Sequence, residues 1–579
     1  MKKRGERSTG STRSTRSSRK RAKHAQDPEV AEPTTPYIHQ SSKLVNLSPE
    51  LLEIIFLECF RADTHGHAFS KNAVPWIVTQ VCRRWRQVAL ATSSLWSIIR
   101  IETGRLLAPK EPLKMLQAYL DRSQPMHISC MLDLGWDRTT EGKGHGRKLN
   151  NQIVKLLIAH SKRWYDMEIT IMRSGSRLWA EFQALKGMPE LRSLSLHGNM
   201  IEAYCKPEKL KEIAGMFLGA SHLREARINI ELPLFYQSRI MSSDKDDFSD
   251  EDGLPSGTPL LVLPWSQLRE LTLADVYTQS LLRILPFLVN LEYLDAYVEV
   301  DWGVKDVSND RIVHSKLRYL SLTGRDNTDI QTFTSKVMVP AIEDLRIGRP
   351  TYYSMAGVRG ADRSERLSEP PIHLSSVVAH YVAHAEGKIR LLDTDMSTLS
   401  IPDFPKVLRS LHSVEEVHLR RASSKDIHTL LNLQNGMCPN LKSLRLIFED
   451  DSYCDVEFLK GLVEMVKARS SGLQRLSFCV TRRGKPVEAP ILLDKGGERL
   501  FQQLLILGQG SLDLCGNLVD KKWFSTDRDD HWTMARKERR STRFGNTSRA
   551  EADHLMDWFP EGEEEEDEET ESDTDTDLG

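Results

Sequence analysis

The sequence predicts an α+β or α/β protein: a small helical unit, then an irregular solenoid of stacked strand-and-helix repeats, with a charged tail at each end. Three observations predict it. "LSPELLEIIFLECF" at 47–60 reads as a helix that is apolar nearly all round. A pattern LxxLxL recurs between about 102 and 515. Opposite charge runs occupy the two ends and almost cancel, leaving a formal charge of −2 over 579 residues. A chain of this length predicts several domains or one large repetitive one. At 40% hydrophobic and 28% charged residues it reads as soluble, with room for a sizeable core.

Residues 1–42 carry almost no apolar side chains and are expected to stay disordered, because they cannot bury enough surface to offset ordering entropy. Residues 1–24 hold ten Lys or Arg against one Glu. Within them Arg19, Lys20, Arg21 and Lys23 form a cluster of the nuclear-import type, or simply a solvated basic tail. The N-terminus lacks the apolar run of a secretory signal. Eight scattered cysteines without a CxxC read as reduced thiols, so the nucleus, the cytoplasm or both are expected. No run approaches the roughly 18 to 20 apolar residues of a membrane helix, and no membrane partner is expected.

Residues 43–101 read as a helical unit. Ser48 suits an N-cap and Pro49 the first helical position. After a polar loop, one helix is expected around Ile77–Leu90, with Val78, Val81, Cys82 and Trp85 on one face. Leu95 and Trp96 restart the apolar pattern after "ATSS".

Residues 102–515 hold the repeats. Clear copies contain Leu191, Leu194 and Leu196; Leu268, Leu271 and Leu273; Leu317, Leu320 and Leu322; and Leu441, Leu444 and Leu446. Looser copies place their middle residues at Leu294, Leu345, Val417 and Leu476. Positions 271, 294, 320 and 345 follow at steps of 23, 26 and 25, within the range of leucine-rich repeats. The LxL pair would sit on a short strand and point inward. Irregular steps between 194 and 268, and between 345 and 417, predict insertions. One is the acidic stretch 242–259, which lacks calcium ligands at the first and twelfth loop positions. Residues 516–579 are basic and then acidic, ending with twelve carboxylates and no base over 561–579, and are expected to be largely disordered.

No catalytic motif stands out. Cys59, His65, His67 and Cys82 allow a zinc site on paper, but both cysteines fall on apolar helical stripes, where packing explains them better. His380 and His384 stand at i, i+4 without a clear third ligand. No enzyme activity, cofactor or metal is expected.

Residues 47–101 resemble an F-box, specifically the F-box-like domains that open many fungal proteins with leucine-rich tails. Leu47, Pro49, Glu50, Leu51, Leu52, Ile55 and Phe56 match its first helix, although the proline follows Leu47 by two positions and the loop between the halves is long. Val81, Cys82, Trp85, Arg86, Leu95 and Trp96 match its second half. The resemblance implies a substrate-recognition subunit of a Skp–cullin–F-box ubiquitin ligase. Its partners would be the Skp adaptor, through it the cullin and RING subunits, and an unknown protein target. Leu47, Pro49, Leu51, Leu52, Ile55, Val81, Cys82, Trp85 and Trp96 are then the adaptor-binding positions or their supporting core; the sequence does not divide them. Ser195, Thr272, Ser321 and Arg445, lying between inward leucines, are candidate target contacts or plain solvated surface. Two rivals stand beside this: a leucine-rich scaffold outside any ubiquitin ligase, its helical unit a mere cap, and a nuclear protein driven by its tails. Nucleic acid is not expected as the main partner.

Overall fold

Leucines that alternate with polar residues build strands, and in the computed structural model these lie side by side in chain order. The structure describes residues 47–516 apart from 64–65, 104–110, 135–144, 172–178, 183–184, 186, 199–214, 231–260, 300–310, 325–326, 349–373, 386–387, 396–403, 421–436, 450–455, 470–471, 483–484, 487–498, 501–502 and 504–512. Both tails, the import cluster at Arg19, Lys20, Arg21 and Lys23, and the stretch 242–259 lie outside the described residues. The chain divides into two units, Met1–Ser48 and Pro49–Gly579. Of the first, only Leu47 and Ser48 are described.

The second unit is mixed helix and strand. Four helices open it: α1 (Pro49–Ala62), α2 (Val74–Val81), α3 (Arg83–Ala91) and α4 (Ser93–Trp96). The first strands follow: β1 (Ile98–Glu102), β2 (Ile128–Leu134), β3 (Trp164–Ile171), β4 (Ser193–Gly198), β5 (Glu225–Ile230), β6 (Glu270–Tyr277) and β7 (Tyr293–Glu299). The later ones are β8 (Ile312–Val313), β9 (Tyr319–Gly324), β10 (Val337–Met338), β11 (Asp344–Gly348), β12 (Leu391–Asp395), β13 (Glu416–Arg420), β14 (Ser443–Glu449), β15 (Arg475–Arg482), β16 (Lys485–Pro486) and β17 (Asp513–Gly516). Among the described residues, all strands but β8 and β10, which pair with each other, join one sheet of 15 strands. Within that sheet only β16 pairs antiparallel among the described residues. Parallel neighbours need crossovers, and helices supply several of them: α5 (Pro112–Arg122) after β1, α6 (His145–Ala159) after β2, and later helices at Thr278–Ile284, Asn327–Lys336 and Val456–Ala468. No described helix is long and apolar enough to cross a membrane.

Register explains the leucines. Leu194, Ala226, Leu271, Leu294, Leu320, Leu345, Leu392, Val417, Leu444 and Leu476 stand opposite one another across ten strands, and all are buried. A second row two residues on runs through Leu196, Ile228, Leu273, Ala296, Leu322, Ile347, Thr394, Leu419 and Leu446. The leading position, three residues before the first row, is filled by Leu191, Leu268, Leu291, Leu317 and Leu441, each buried. All eight expected copies fall on strands. β5 and β12 occupy the two irregular gaps; their leading, first and second residues are Leu223, Ala226, Ile228 and Ile389, Leu392, Thr394, so leucine counting passes over them.

Charge reinforces this register. The residue before each first outward position runs Arg269, Glu292, Arg318, Glu343, Arg390, Glu415, Lys442 across successive strands, and the amide of each bonds the carbonyl of the one before. Adjacent signs pair at 3.7 Å for Arg318–Glu343 and 3.0 Å for both Arg390–Glu415 and Lys442–Glu415. Like charges opposite each other oppose pairing. Glu343→Lys, which sets three cations side by side, is expected to cost up to about 1 kcal/mol. The loss should shrink in molar salt, measured by denaturant unfolding.

One expectation is corrected. The helix expected over 77–90 is two helices, because Cys82 is extended at φ −156°, ψ 172°. Its sulfur accepts the Trp85 amide at 3.5 Å and so caps α3, while Arg86 Nε donates to the Thr79 carbonyl at 2.7 Å across the break. Neither Gly nor Pro marks that break in the sequence.

Candidate functional site

The apolar circumference of α1 is only half covered. Leu52, Phe56 and Phe60, at i, i+4 and i+8, are buried, and the Phe56 ring lies 5.1 Å from that of Trp85. On the other side Leu51, Ile54 and Ile55 are 50%, 56% and 37% exposed. The next helices add exposed apolar side chains to this set: on α2 Pro75 and Val78 turn inward while Ile77 and Val81 remain 46% and 54% exposed, and Leu90 on α3 is 40% exposed. Exposed charges share these helices, Glu50, Glu53 and Glu58 on α1 and Arg83 and Arg86 on α3. So many large apolar side chains left exposed on three consecutive helices point to an interaction surface.

The structure divides the nine adaptor positions. Leu52 and Trp96 are fully buried. Pro49, Leu51, Ile55 and Val81 are exposed, and Leu47, Cys82 and Trp85 are half-buried. Ile54, Ile77 and Leu90 belong to the exposed apolar set and were not among those nine. Helical periodicity is the signal that reaches Ile54, which lies one turn from Leu51.

Trp96 is the hinge of the arrangement. It occupies the leading position of β1, ahead of Ile99 and Ile101, as Trp164 does in β3 ahead of Met167 and Ile169. Both are buried, and each indole N–H donates to a carbonyl seven residues back, Ala89 at 2.7 Å and Leu157 at 3.2 Å. The second half of the helical unit is therefore built like a strand-and-helix repeat and is continuous with the sheet. Trp76, Trp96 and Tyr119 meet edge to face, with centroids 5.1 to 5.8 Å apart, and the Arg122 guanidinium lies 4.4 Å from the Trp96 ring. On the edge strand, the Arg100 carbonyl accepts the Ala68 amide at 2.6 Å, and its buried guanidinium donates to the Asp63 carbonyl.

The outward face of the sheet is the second surface. Ser195, Thr272, Ser321 and Arg445 all fall in one register row, which reads Glu168, Ser195, Arg227, Thr272, Asp295, Ser321, Arg346, Asp393, His418, Arg445 and Ser477. The sequence reading missed Arg346, Asp393 and His418, the middle residues of their own strands. Asp393 is buried; Arg420 donates to it at 2.7 Å, with Arg346 at 3.6 Å and His418 at 3.7 Å. Burial alone would push this carboxyl up, but Arg420, the His418 hydrogen bond and Arg346 together hold it well below the usual range. Beside it Tyr293 and Tyr319 stack at 4.0 Å, and Arg346 lies 5.4 Å from the Tyr319 ring.

Asp344, on the neighbouring row, goes the other way. Burial raises its carboxyl to about 6, with Arg346 opposing that only in part. A folded value above the unfolded one favours the protonated form, so ionisation destabilises the fold as pH rises from about 4 to above 6. Asp344→Asn should raise the Tm at pH 8, and the gain should vanish below about pH 4, as thermal melts across that range would show.

Ser195 Oγ and His197 Nε2 lie 2.7 Å apart, and Glu168 approaches the same nitrogen at 3.9 Å. A catalytic triad needs the carboxylate on the other ring nitrogen, so this trio is a polar ladder contact. The His380 and His384 rings lie 4.8 Å apart, tilted by 42°, with His384 Nδ1 on the His380 carbonyl. His65 lies outside the described residues, and among those described no three His, Cys, Asp or Glu side chains gather as a metal site.

Fold and surfaces together define an α/β protein with a long parallel sheet, exposed apolar side chains on its opening helices and a polar strand face. No protein-family model matches the chain, and no curated protein matches it.

Proposed function

We propose that this chain is the substrate-recognition subunit of a Skp–cullin–F-box ubiquitin ligase. Its F-box-like helices dock on the Skp adaptor, and its sheet, read as a degenerate leucine-rich-repeat solenoid, holds a protein target on the outward strand face. The observation that carries the reading is the exposed apolar set of Leu51, Ile54, Ile55, Ile77, Val81 and Leu90, left open where the F-box resemblance expects a partner. The chain itself is non-catalytic. It works by proximity, since two binding events on one body raise the effective concentration of a target lysine near activated ubiquitin. It acts in the nucleus, the cytoplasm or both. Affinity purification from a native extract, with mass spectrometry, tests this: recovery of the Skp adaptor with cullin is expected, and its absence from a folded, soluble bait rejects the reading.

A second reading has its own support. The Ala68–Arg100 backbone bond and the repeat-like setting of Trp96 suit a helical cap on a leucine-rich scaffold outside any ubiquitin ligase. A scaffold of this kind retains no adaptor, so the same purification separates the two.

A further inference from the structure

The outward strand face is electrically divided. Take the three outward positions of each strand from β1 to β7. They hold seven carboxylates, Glu102, Asp133, Asp166, Glu168, Glu225, Glu270 and Asp295, and two guanidiniums, Arg100 and Arg227. Arg100 and Asp166 are both buried, and Arg100 donates to the Asp63 carbonyl, so neither offers much charge to a partner. The same three positions from β9 to β15 are close to balance: among the described side chains, Asp344, Asp393 and Glu416 stand against Arg346, Arg420, Arg445 and Arg475. In that half the buried Asp393 is matched internally by Arg420 and Arg346. At the border stand the stacked rings of Tyr293 and Tyr319.

An excess of carboxylates over most of these strands raises the local concentration of opposite charge and selects partners by sign. We infer that the strand face over β1–β7 docks a lysine- and arginine-rich segment of a partner protein. The inference rests on the reading of this face as the target surface, and it names the class of target. A basic segment would also bring lysines, the groups that accept ubiquitin.

The test uses the full chain and a fluorescent 15-residue peptide of alternating lysine, arginine and serine, with a glutamate-rich peptide of equal length as the opposite probe. Binding of the basic peptide is expected, weakening at least tenfold as salt rises from about 50 to 300 mM. Glu168→Gln/Glu270→Gln is expected to weaken it about tenfold with an unchanged Tm, while Asp344→Asn/Glu416→Gln in the balanced half changes it less than twofold. Equal affinity for both peptides, or equal losses from the two double variants, overturns the inference. A chain that binds the basic peptide but captures no Skp adaptor keeps the inference and rejects the ligase reading. Capture of adaptor without peptide binding does the reverse.

Discussion

Ile54→Asp/Val81→Asp is expected to lose Skp-adaptor capture by at least a hundredfold while the protein stays folded. Both side chains are more than half exposed, so the free chain loses little packing when they change. Surface substitutions of that kind stay within about 0.5 kcal/mol, and the Tm should move by no more than about 2 °C. In a complex the balance inverts. Each residue would bury a full aliphatic side chain, a contribution of about 1.5–3 kcal/mol. The variant instead carries an unpaired carboxylate into a dry contact, which adds a desolvation cost. Losing about 2.7 kcal/mol already gives the hundredfold change. Calorimetry with purified adaptor measures one quantity and a thermal melt the other. Unchanged affinity would move the docking surface away from the opening helices and leave the exposed apolar side chains without a function.

The opposite behaviour is expected at Trp96. Trp96→Ala should destabilise the protein by about 3–5 kcal/mol, the usual cost of removing a large buried aromatic. The indole fills the leading position of the first strand, meets Trp76 and Tyr119 edge to face, and satisfies the Ala89 carbonyl. Arg122 would also lose the ring it lies against at 4.4 Å. Trp96→Phe keeps most of the volume and removes the N–H donor, so a smaller loss of about 1–3 kcal/mol is expected. Trp164→Ala is the internal control, since it holds the same position in β3 and should cost a similar amount. Denaturant unfolding followed by intrinsic fluorescence reads all three. Should Trp96→Ala keep full stability and lose only adaptor binding, Trp96 is a contact and its assignment to the core is wrong.

Much of the architecture is legible along the chain because the repeat is local. Leu317, Leu320 and Leu322 lie within six residues, and that spacing alone puts one ahead of a strand and two on its inward face. The copies at Leu191, Leu268 and Leu441 are legible for the same reason. β5 and β12 escaped because the sheet accepts Ala226 and Thr394 at buried positions where their neighbours, Leu271 and Leu419, supply the bulk. The break at Cys82 escaped because no residue there forbids helix; it is held by the Cys82 sulfur cap on α3 and by the Arg86–Thr79 bond between α3 and α2.

The candidate surfaces divide in the same way. The sequence marks Leu47, Pro49, Leu51, Leu52, Ile55, Val81, Cys82, Trp85 and Trp96 through its resemblance to an F-box. Which of them face outward depends on what packs behind: Phe56 on Trp85 turns Leu52 inward and leaves Leu51 and Ile54 uncovered. On the sheet, the sequence shows that Ser195, Thr272, Ser321 and Arg445 alternate with leucines. Only the register brings Arg346, Asp393 and Arg420 together from strands separated by long connections. Side-chain direction along a strand has a period of two and is written in the chain. The neighbours across a sheet, and the side of a helix left bare, are set by contacts between distant segments, and only the folded arrangement decides them.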